Sequence, residues 1–163
     1  MEIRHLKSTD WGSLVDLYNH YIKTSPCTFD IAATTALDRQ PWFDQFADST
    51  PHQCLVAIAD ERVLGYACST KFKERPAYST SVEVSVYVAH NNHHQGLGSD
   101  LYAALFENLS SFNLHRAYAG IVLPNDPSVR LHTKFGFKQV GLYNEVGYKF
   151  DRYWDVGWFE KVL

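Results

Sequence analysis

Two glycines mark the segment of this sequence with the clearest chemical meaning. Gly96 and Gly98 stand between the β-branched and aromatic run Ser81–His90 and a series of leucines that recur every four residues from Leu97. The run is typical of a strand and the leucines of an amphipathic helix. A glycine-rich turn at a helix N-terminus presents unpaired backbone N–H groups and the positive end of the helix dipole. The segment therefore predicts a phosphate site, although a Gly-x-Gly pair alone opens many helices that bind nothing.

A second group of polar residues follows the next predicted strand. Asn125, Ser128 and His132 come after the apolar run Arg116–Leu123, and Gly136-Phe137 ends the group. Amide, hydroxyl and imidazole side chains can hold a polar ligand or transfer a proton. The alternative for His132 is an ordinary histidine with satisfied hydrogen bonds on a helix face.

Glu83 is the best candidate for a general base. It stands near the start of the strand that leads into the glycine loop, among apolar neighbours that leave a carboxylate few structural roles. The alternative is an ion pair with a surface lysine or arginine. The cysteines are weaker candidates, because Cys54 and Cys68 lie in apolar runs and Cys27 has no partner base nearby in the sequence.

These residues must be positioned by a mixed sheet with helices on both faces, an α/β (α+β) fold. Predicted strands are Glu2–Leu6, His52–Ala59, Arg62–Phe72, Ser81–His90, Arg116–Leu123, Phe137–Leu142 and Tyr153–Leu163. Predicted helices run from Trp11 to Ile22, over Leu37–Phe46, from Leu97 to Leu105 and over Ser128–Phe135. An Asp60-Glu61 turn makes the second and third strands a hairpin, and a polar connection separates the last two strands. The strands that flank the third helix are expected to be parallel.

Bulk properties limit the classes of function. With 163 residues the chain is expected to form a single domain over 1–163, and a net charge of −3 argues against nucleic acid as a partner. The odd number of cysteines indicates reduced thiols, and the sequence has no run of membrane-spanning length, so a cytoplasmic protein that does not enter membranes is expected. His90, His93 and His94 could form a metal site, but no cysteine or carboxylate accompanies them, so no metal is expected.

In two blocks, VEVSVYVAHNNHHQGLGSDLY and LPNDPSVRLHTKFGF, the chain resembles the GNAT superfamily of acetyl-CoA-dependent N-acetyltransferases. Within it, the chain is most similar to the phosphinothricin and methionine sulfoximine acetyltransferase group. Further shared features are TFD at Thr28–Asp30, RPAY at Arg75–Tyr78, EVSVYV at Glu83–Val88 and the C-terminal YWDVGWFEKVL. The resemblance implies a mostly antiparallel sheet in which one parallel strand pair splays apart.

The resemblance also implies an acetyl-CoA site. Its expected residues are Val86, Tyr87, Val88, His93, His94, Gln95, Gly96, Leu97, Gly98, Ser99, Asn125 and Ser128. The strand residues would pair with the pantetheine amides like an added strand, and the loop would hold the pyrophosphate on backbone N–H groups. The family usually has Gln or Arg at the position of His93, so this loop lacks a permanent charge and its affinity could depend on pH.

The same resemblance implies an acceptor site and a mechanism. The expected substrate residues are Thr28, Phe29, Arg75, Pro76, Ala77, Tyr78, Glu83, Val84 and Ser85. Glu83 would deprotonate the amine directly or through water, and His132 would donate a proton to the departing thiolate. Arg75 would bind a carboxylate of the substrate, unless it is only a solvated loop charge.

Three functions are compatible with these residues. The first is transfer of acetyl from acetyl-CoA to the α-amino group of phosphinothricin, methionine sulfoximine or methionine sulfone. The second keeps the chemistry but has a polyamine or a protein N-terminus as acceptor, and the third is a non-catalytic acyl-CoA-binding module. The resemblance further implies a homodimer, with the C-terminal strands as a plausible interface.

Overall fold

Seven strands form one mixed sheet within residues 1–91 and 96–163, which the computed structural model describes. In chain order the elements are β1 (Glu2–His5), α1 (Trp11–Thr24), α2 (Gln40–Phe43), β2 (Cys54–Ala59), β3 (Arg62–Lys71), β4 (Ser81–Val88), α3 (Leu97–Leu109), β5 (Arg116–Leu123), α4 (Asp126–Lys134), β6 (Lys138–Lys149) and β7 (Arg152–Val162). The sheet order is β1-β2-β3-β4-β5-β7-β6. The predicted mixed fold is confirmed. No helix among the described residues has the length and apolar character needed to cross a membrane.

The parallel pair of the sheet is β4 and β5. Their register runs only from Ser81 opposite Arg116 to Glu83 opposite Tyr118, and every other neighbouring pair is antiparallel. Beyond Glu83 the two strands have no ladder between them, so they splay as expected.

Alternate residues of the central strands pack on opposite faces of the sheet, as the period of two requires. On one face Val82, Val84 and Ala117 pack with the buried leucines of α3. On the other face Tyr66 and Cys68 pack with α1 and α2. Helices therefore cover both faces of the sheet, with α3 on one side of β4 and α1 and α2 on the other.

Two predicted elements were wrong in extent. The helix predicted over Leu37–Phe46 is a single turn, Gln40–Phe43, because Pro41 lacks an N–H and so belongs in a first helical turn. The polar connection predicted after Leu142 is mostly strand: β6 continues to Lys149. Its polar residues lie in a bulge at Glu145, where φ is 50°, rather than in a loop.

Smaller corrections concern element ends. The strand before the glycine loop ends at Val88 rather than His90. The helix after β5 begins at Asp126 rather than Ser128, because Asn125 caps it and Pro127 fits its first turn. The predicted Asp60-Glu61 hairpin turn is confirmed, with φ of 48° and 60° at its two residues.

Candidate active site

A cleft of about 350 Å³ opens where β4 and β5 separate. Its walls are formed by both strands, by the start of α4 and by the loop after α1. The lining residues include Val84, Ser85, Val86, Tyr87, Val88, Gly98, Asn125, Ser128 and His132, all of which the sequence singled out, together with Ser25 and Cys27. The volume is in the range of small-molecule sites.

Alternate residues of β4 direct their backbone groups into this cleft, and one of these groups, Val88 O, accepts from the Tyr21 hydroxyl at 2.6 Å. Ala89 N–H donates to Leu64 O in β3 at 2.8 Å, so this residue faces β3. Because successive residues of a strand point their N–H and C=O groups to opposite sides, Val86 and Val88 direct theirs into the cleft. The backbone of Tyr87 faces Tyr66 in β3. Of the three strand residues expected to pair with a pantetheine arm, two have the necessary orientation.

The N-terminus of α3 closes one end of the cleft. Gly96 is its N-cap with φ of 88°, a conformation that glycine adopts without strain. A Cβ on Gly98 would lie 3.3 Å from the Leu131 side chain, so glycine lets α3 approach α4 closely. The expected phosphate contacts His93, His94 and Gln95 lie outside the described residues.

Sequence reasoning missed a cation at this helix end. Lys134 Nζ donates to Ser99 Oγ at 3.0 Å and so places a positive charge beside the first turn of α3. The N–H groups of Ser99 and Asp100 are already bonded to Gly96 O. No motif marks Lys134 in the sequence, because its position follows from the packing of α4 on α3.

Glu83 lies at the last position where β4 pairs with β5, one residue before the cleft begins. Its side chain is half-buried, and burial raises the pKa of its carboxyl group. Among the described residues no side chain forms a hydrogen bond or ion pair with this carboxylate. The alternative role of Glu83, an ion pair with a surface lysine or arginine, is therefore not found among the described residues.

Aromatic rings form a wall on the face that Glu83 shares with Tyr118. Phe72 stacks on Tyr118 with a centroid distance of 4.3 Å and has edge contacts with Tyr78 at 5.8 Å and Trp158 at 6.3 Å. The RPAY turn is thereby attached to the Glu83 side of the sheet through the Phe72 ring. Arg75, Pro76 and Ala77 are exposed in this turn, and no described carboxylate pairs with Arg75.

Thr28 and Phe29, which are expected on the acceptor side, do not line this cleft, and their contact with an acceptor stays a prediction. Thr28 is buried, and its hydroxyl donates to the Tyr18 hydroxyl oxygen at 2.6 Å while Tyr18 donates to Asp30 at 2.8 Å. The Phe29 ring packs against the backbone of Gly147. Both residues anchor the loop, and Ser25 and Cys27 of the same loop face the cleft instead.

His132 reaches the cleft wall but has both ring nitrogens engaged. Nδ1 lies 2.8 Å from Ser128 O, which can only accept, so Nδ1 carries the proton. Nε2 therefore accepts from the Tyr102 hydroxyl at 2.8 Å. Burial lowers the pKa of His132, which favours the neutral ring. The geometry matches a satisfied histidine and offers no free ring N–H to a thiolate.

The Asn125 side chain caps a helix with its oxygen and directs an N–H₂ donor without a described partner toward the cleft. Its Oδ1 accepts from Ser128 N at 3.2 Å and caps α4. No described residue accepts from its side-chain N–H₂ group, and the residue lines the cleft. One amide can thus fix the helix start and still donate to a ligand.

Comparison with known proteins identifies the family. The model described as Acetyltransferase (GNAT) domain matches residues 3–158. Phosphinothricin N-acetyltransferase from Streptomyces coelicolor is 48% identical over 165 residues, covering 100% of this chain and 96% of the relative. An L-methionine sulfoximine/L-methionine sulfone acetyltransferase from Pseudomonas aeruginosa is 30% identical over 161 residues, covering 99% and 94%. A crystal structure described as ribosomal-protein-alanine N-acetyltransferase, from Brucella melitensis, has a TM-score of 0.94 and 31% identity, covering 100% of both chains.

The chain belongs to the GNAT acetyltransferase family. Enzymes of this family take their acetyl group from acetyl-CoA. This protein is accordingly an N-acetyltransferase, and the reading of it as a non-catalytic module is not supported.

Proposed function

We propose that this enzyme transfers acetyl from acetyl-CoA to the α-amino group of a small amino acid analogue such as phosphinothricin, methionine sulfoximine or methionine sulfone. The observation that carries the proposal is the half-buried carboxylate of Glu83, which has no partner among residues 1–91 and 96–163, at the point where the cleft opens. The relatives from Streptomyces coelicolor and Pseudomonas aeruginosa, which are named for these compounds, support the acceptor class.

In the proposed complex the pantetheine arm pairs with the Val86 C=O and the Val88 N–H, since Val88 O already accepts from the Tyr21 hydroxyl. The phosphates lie at the N-terminus of α3. The backbone N–H groups of Gly96, Leu97 and Gly98 supply partial positive charge there, and the Lys134 ammonium supplies a full charge. Glu83 takes a proton from the substrate ammonium, directly or through water, and the neutral amine attacks the thioester carbon. The Val86 N–H stabilises the oxyanion that develops on the carbonyl oxygen. The tetrahedral intermediate then expels the thiolate of coenzyme A, which takes up the proton that the amide nitrogen loses.

We propose that His132 assists the thiolate through Ser128 rather than by direct donation. Ser128 lines the cleft, and its Oγ lies 3.4 Å from Nδ1 of His132. A hydroxyl at this position can donate a hydrogen bond to the sulfur while the neutral imidazole holds Ser128 in place.

Removal of the Ser128 hydroxyl is expected to slow the chemical step. Ser128→Ala should lower kcat about tenfold with little change in KM for acetyl-CoA, because one hydrogen bond to a charged atom is lost in the transition state. Ser128→Thr retains a hydroxyl and should recover most of the rate. If Ser128→Ala keeps the wild-type kcat and His132→Gln does not, the imidazole itself reaches the sulfur.

Two substitutions at Asn125 separate its cap from its proposed contact with the pantetheine arm. Asn125→Ala should lose about 0.5–2 kcal/mol of unfolding free energy, whereas Asn125→Asp keeps an accepting oxygen at the cap. Both lose the amide donor, so both should raise KM for acetyl-CoA about tenfold. Denaturant unfolding and initial-rate kinetics measure the two effects. A raised KM in the alanine variant alone would contradict the contact with the cofactor.

A homodimer through the β6–β7 hairpin is part of the proposal. β6 is an edge strand, and apolar side chains are exposed along the hairpin: Val140, Leu142, Tyr143, Val146, Tyr148, Phe150 and Tyr153. Such a patch on a sheet edge is typical of an interface, and a second copy of the same edge would cover it.

Charge placed in this patch should produce a monomer. Tyr148 and Tyr153 are each 59% exposed, with ring centroids 5.0 Å apart. In light scattering, Tyr148→Glu combined with Tyr153→Glu should halve the mass, because the interface would have to bury two carboxylates. Leu37→Glu, at an exposed apolar residue outside the hairpin, is the control and should leave the mass unchanged. A wild-type monomer at micromolar concentration would contradict the dimer.

The proposed function is tested by thiol release from acetyl-CoA with a panel of amines. The panel contains phosphinothricin, methionine sulfoximine, methionine sulfone, plain amino acids, spermidine and a peptide. Fast release is expected with the amino acid analogues. A protein N-terminus is the second candidate, favoured by the likeness to the Brucella melitensis structure, and release only with a peptide that begins with alanine would select it.

A further inference from the structure

Lys149, the last residue of β6, holds the loop that forms one wall of the cleft. Its side chain is buried, with 5% of the residue exposed. Nζ donates to Ser25 O at 2.9 Å and to Thr28 O at 2.7 Å. No carboxylate among the described residues forms an ion pair with it. Burial of an ammonium group costs free energy because the group loses its hydration. The two backbone carbonyls replace part of that hydration, so they are needed to keep Lys149 buried.

The two carbonyls that Lys149 binds bracket the part of the loop that faces the cleft. Ser25 and Cys27 line the cleft, together with Tyr21 of α1 and the strand residues of β4. On their other side the same loop residues face Pro124 and Asn125 across a second opening. The position of this wall therefore depends on a hydrogen-bonding partner more than 120 residues away in the chain.

A second contact from the same hairpin acts on the same loop. A Cβ on Gly147 would overlap the ring of Phe29, so the ring lies directly on the Gly147 backbone. Across the hairpin, Trp154 Nε1 donates to Lys149 O at 2.8 Å and fixes the end of β6. The loop thus contacts the β6–β7 hairpin at Ser25, Thr28 and Phe29.

We propose that Lys149 and Gly147 are positioning residues for the acyl-donor cleft, setting the wall at Ser25 and Cys27 and thereby limiting the size of the acyl group that enters. The inference rests on the proposed use of the cleft by acetyl-CoA. It does not depend on the identity of the acceptor amine. When Lys149 and Gly147 hold the loop in place, only a short acyl group fits between the loop and β4. When either contact is lost, the loop can move away and a longer acyl group fits.

The alkylation rate of Cys27 measures how often this loop opens and does not require catalytic activity. It is half-buried in the loop, whereas Cys54 and Cys68 are buried in the core. Burial raises the pKa of the Cys27 thiol, so its alkylation in the wild type should be slow. Release of the loop should make Cys27 react faster with iodoacetamide, at a rate that can be followed by mass spectrometry.

The experiment compares the wild type, Gly147→Ala, Lys149→Met and the control Lys161→Met, which makes the same change on β7. Gly147→Ala should speed alkylation of Cys27 about tenfold, since local opening exposes the thiol. It should also raise the ratio of kcat/KM for propionyl-CoA to that for acetyl-CoA about tenfold. A ratio of two donors does not change when only the amount of folded enzyme changes.

Lys149→Met should raise the donor ratio in the same way, while Lys161→Met should match the wild type. Its alkylation rate is a less direct readout, because the nearby ammonium lowers the pKa of Cys27 and its removal slows the thiol. Wild-type alkylation and donor ratios in Gly147→Ala, with a wild-type donor ratio in Lys149→Met, would overturn the inference. If neither donor reacts while Cys27 alkylation still accelerates in Gly147→Ala, the loop contact stands and the proposed function fails.

Discussion

Glu83→Gln is expected to lower kcat by about 10²–10⁴-fold, the usual contribution of a general base. KM for acetyl-CoA should change little, because Glu83 lies just outside the cleft proposed for the cofactor. Thiol release with methionine sulfoximine measures both constants. Glu107→Gln, an exposed carboxylate on α3, is the matched control and should behave as the wild type. A wild-type kcat in Glu83→Gln would remove Glu83 from the mechanism.

The pH dependence of the same variant separates catalysis from folding. Burial raises the pKa of Glu83, so the active carboxylate forms only above that raised value, and kcat/KM should fall as the pH drops through it. This acid limb should be absent in Glu83→Gln.

The contribution of Glu83 to stability changes with pH in the opposite direction to its contribution to kcat/KM. Between its unfolded and its raised folded pKa, the folded state binds more protons, so this group's contribution to stability declines as the pH rises through that window. Thermal unfolding at neutral pH should therefore show Glu83→Gln to be as stable as the wild type or more so. A lower melting temperature would mean that the carboxylate has a structural partner.

Arg75→Ala is expected to raise KM for the amino acid analogue about 10–100-fold, because a bidentate, charge-assisted contact with the substrate carboxylate is lost. Arg75→Lys should recover only part of the affinity, since an ammonium lacks the planar fork. Initial rates at varied amine concentration measure the effect. Arg62→Ala, at an exposed arginine that begins β3 and lies outside the RPAY turn, is the control.

A substrate without a carboxylate makes this test specific. For an amine such as 3-(methylthio)propylamine, Arg75→Ala should leave kcat/KM unchanged, because no carboxylate is present to bind. An equal loss with both kinds of amine would show that Arg75 shapes the RPAY turn instead of binding substrate.

The parts of this molecule that follow from local sequence were predictable. The order of strands and helices, the parallel β4–β5 pair and the glycine turn before α3 all reflect periodicity or turn chemistry within a short window. The extent of β6 was not predictable, because its polar residues signal a loop while a bulge accommodates them in a strand.

The candidate site was predictable in its composition but less so in its contacts. The sequence pointed to Glu83, Asn125 and His132, yet only the packed structure shows that His132 is held between Tyr102 and Ser128. The anchoring of Thr28 by Tyr18 and Lys149 was likewise hidden. Such contacts join residues far apart in the chain, where no periodic pattern connects them.

The most direct test of the central claim is a mass-spectrometric analysis of the products formed from methionine sulfoximine and a limiting amount of acetyl-CoA. Direct transfer predicts one N-acetylated amine for every coenzyme A released and no acetylated enzyme. Release of coenzyme A without the acetylated amine, or an acetyl group retained on the protein, would contradict the account.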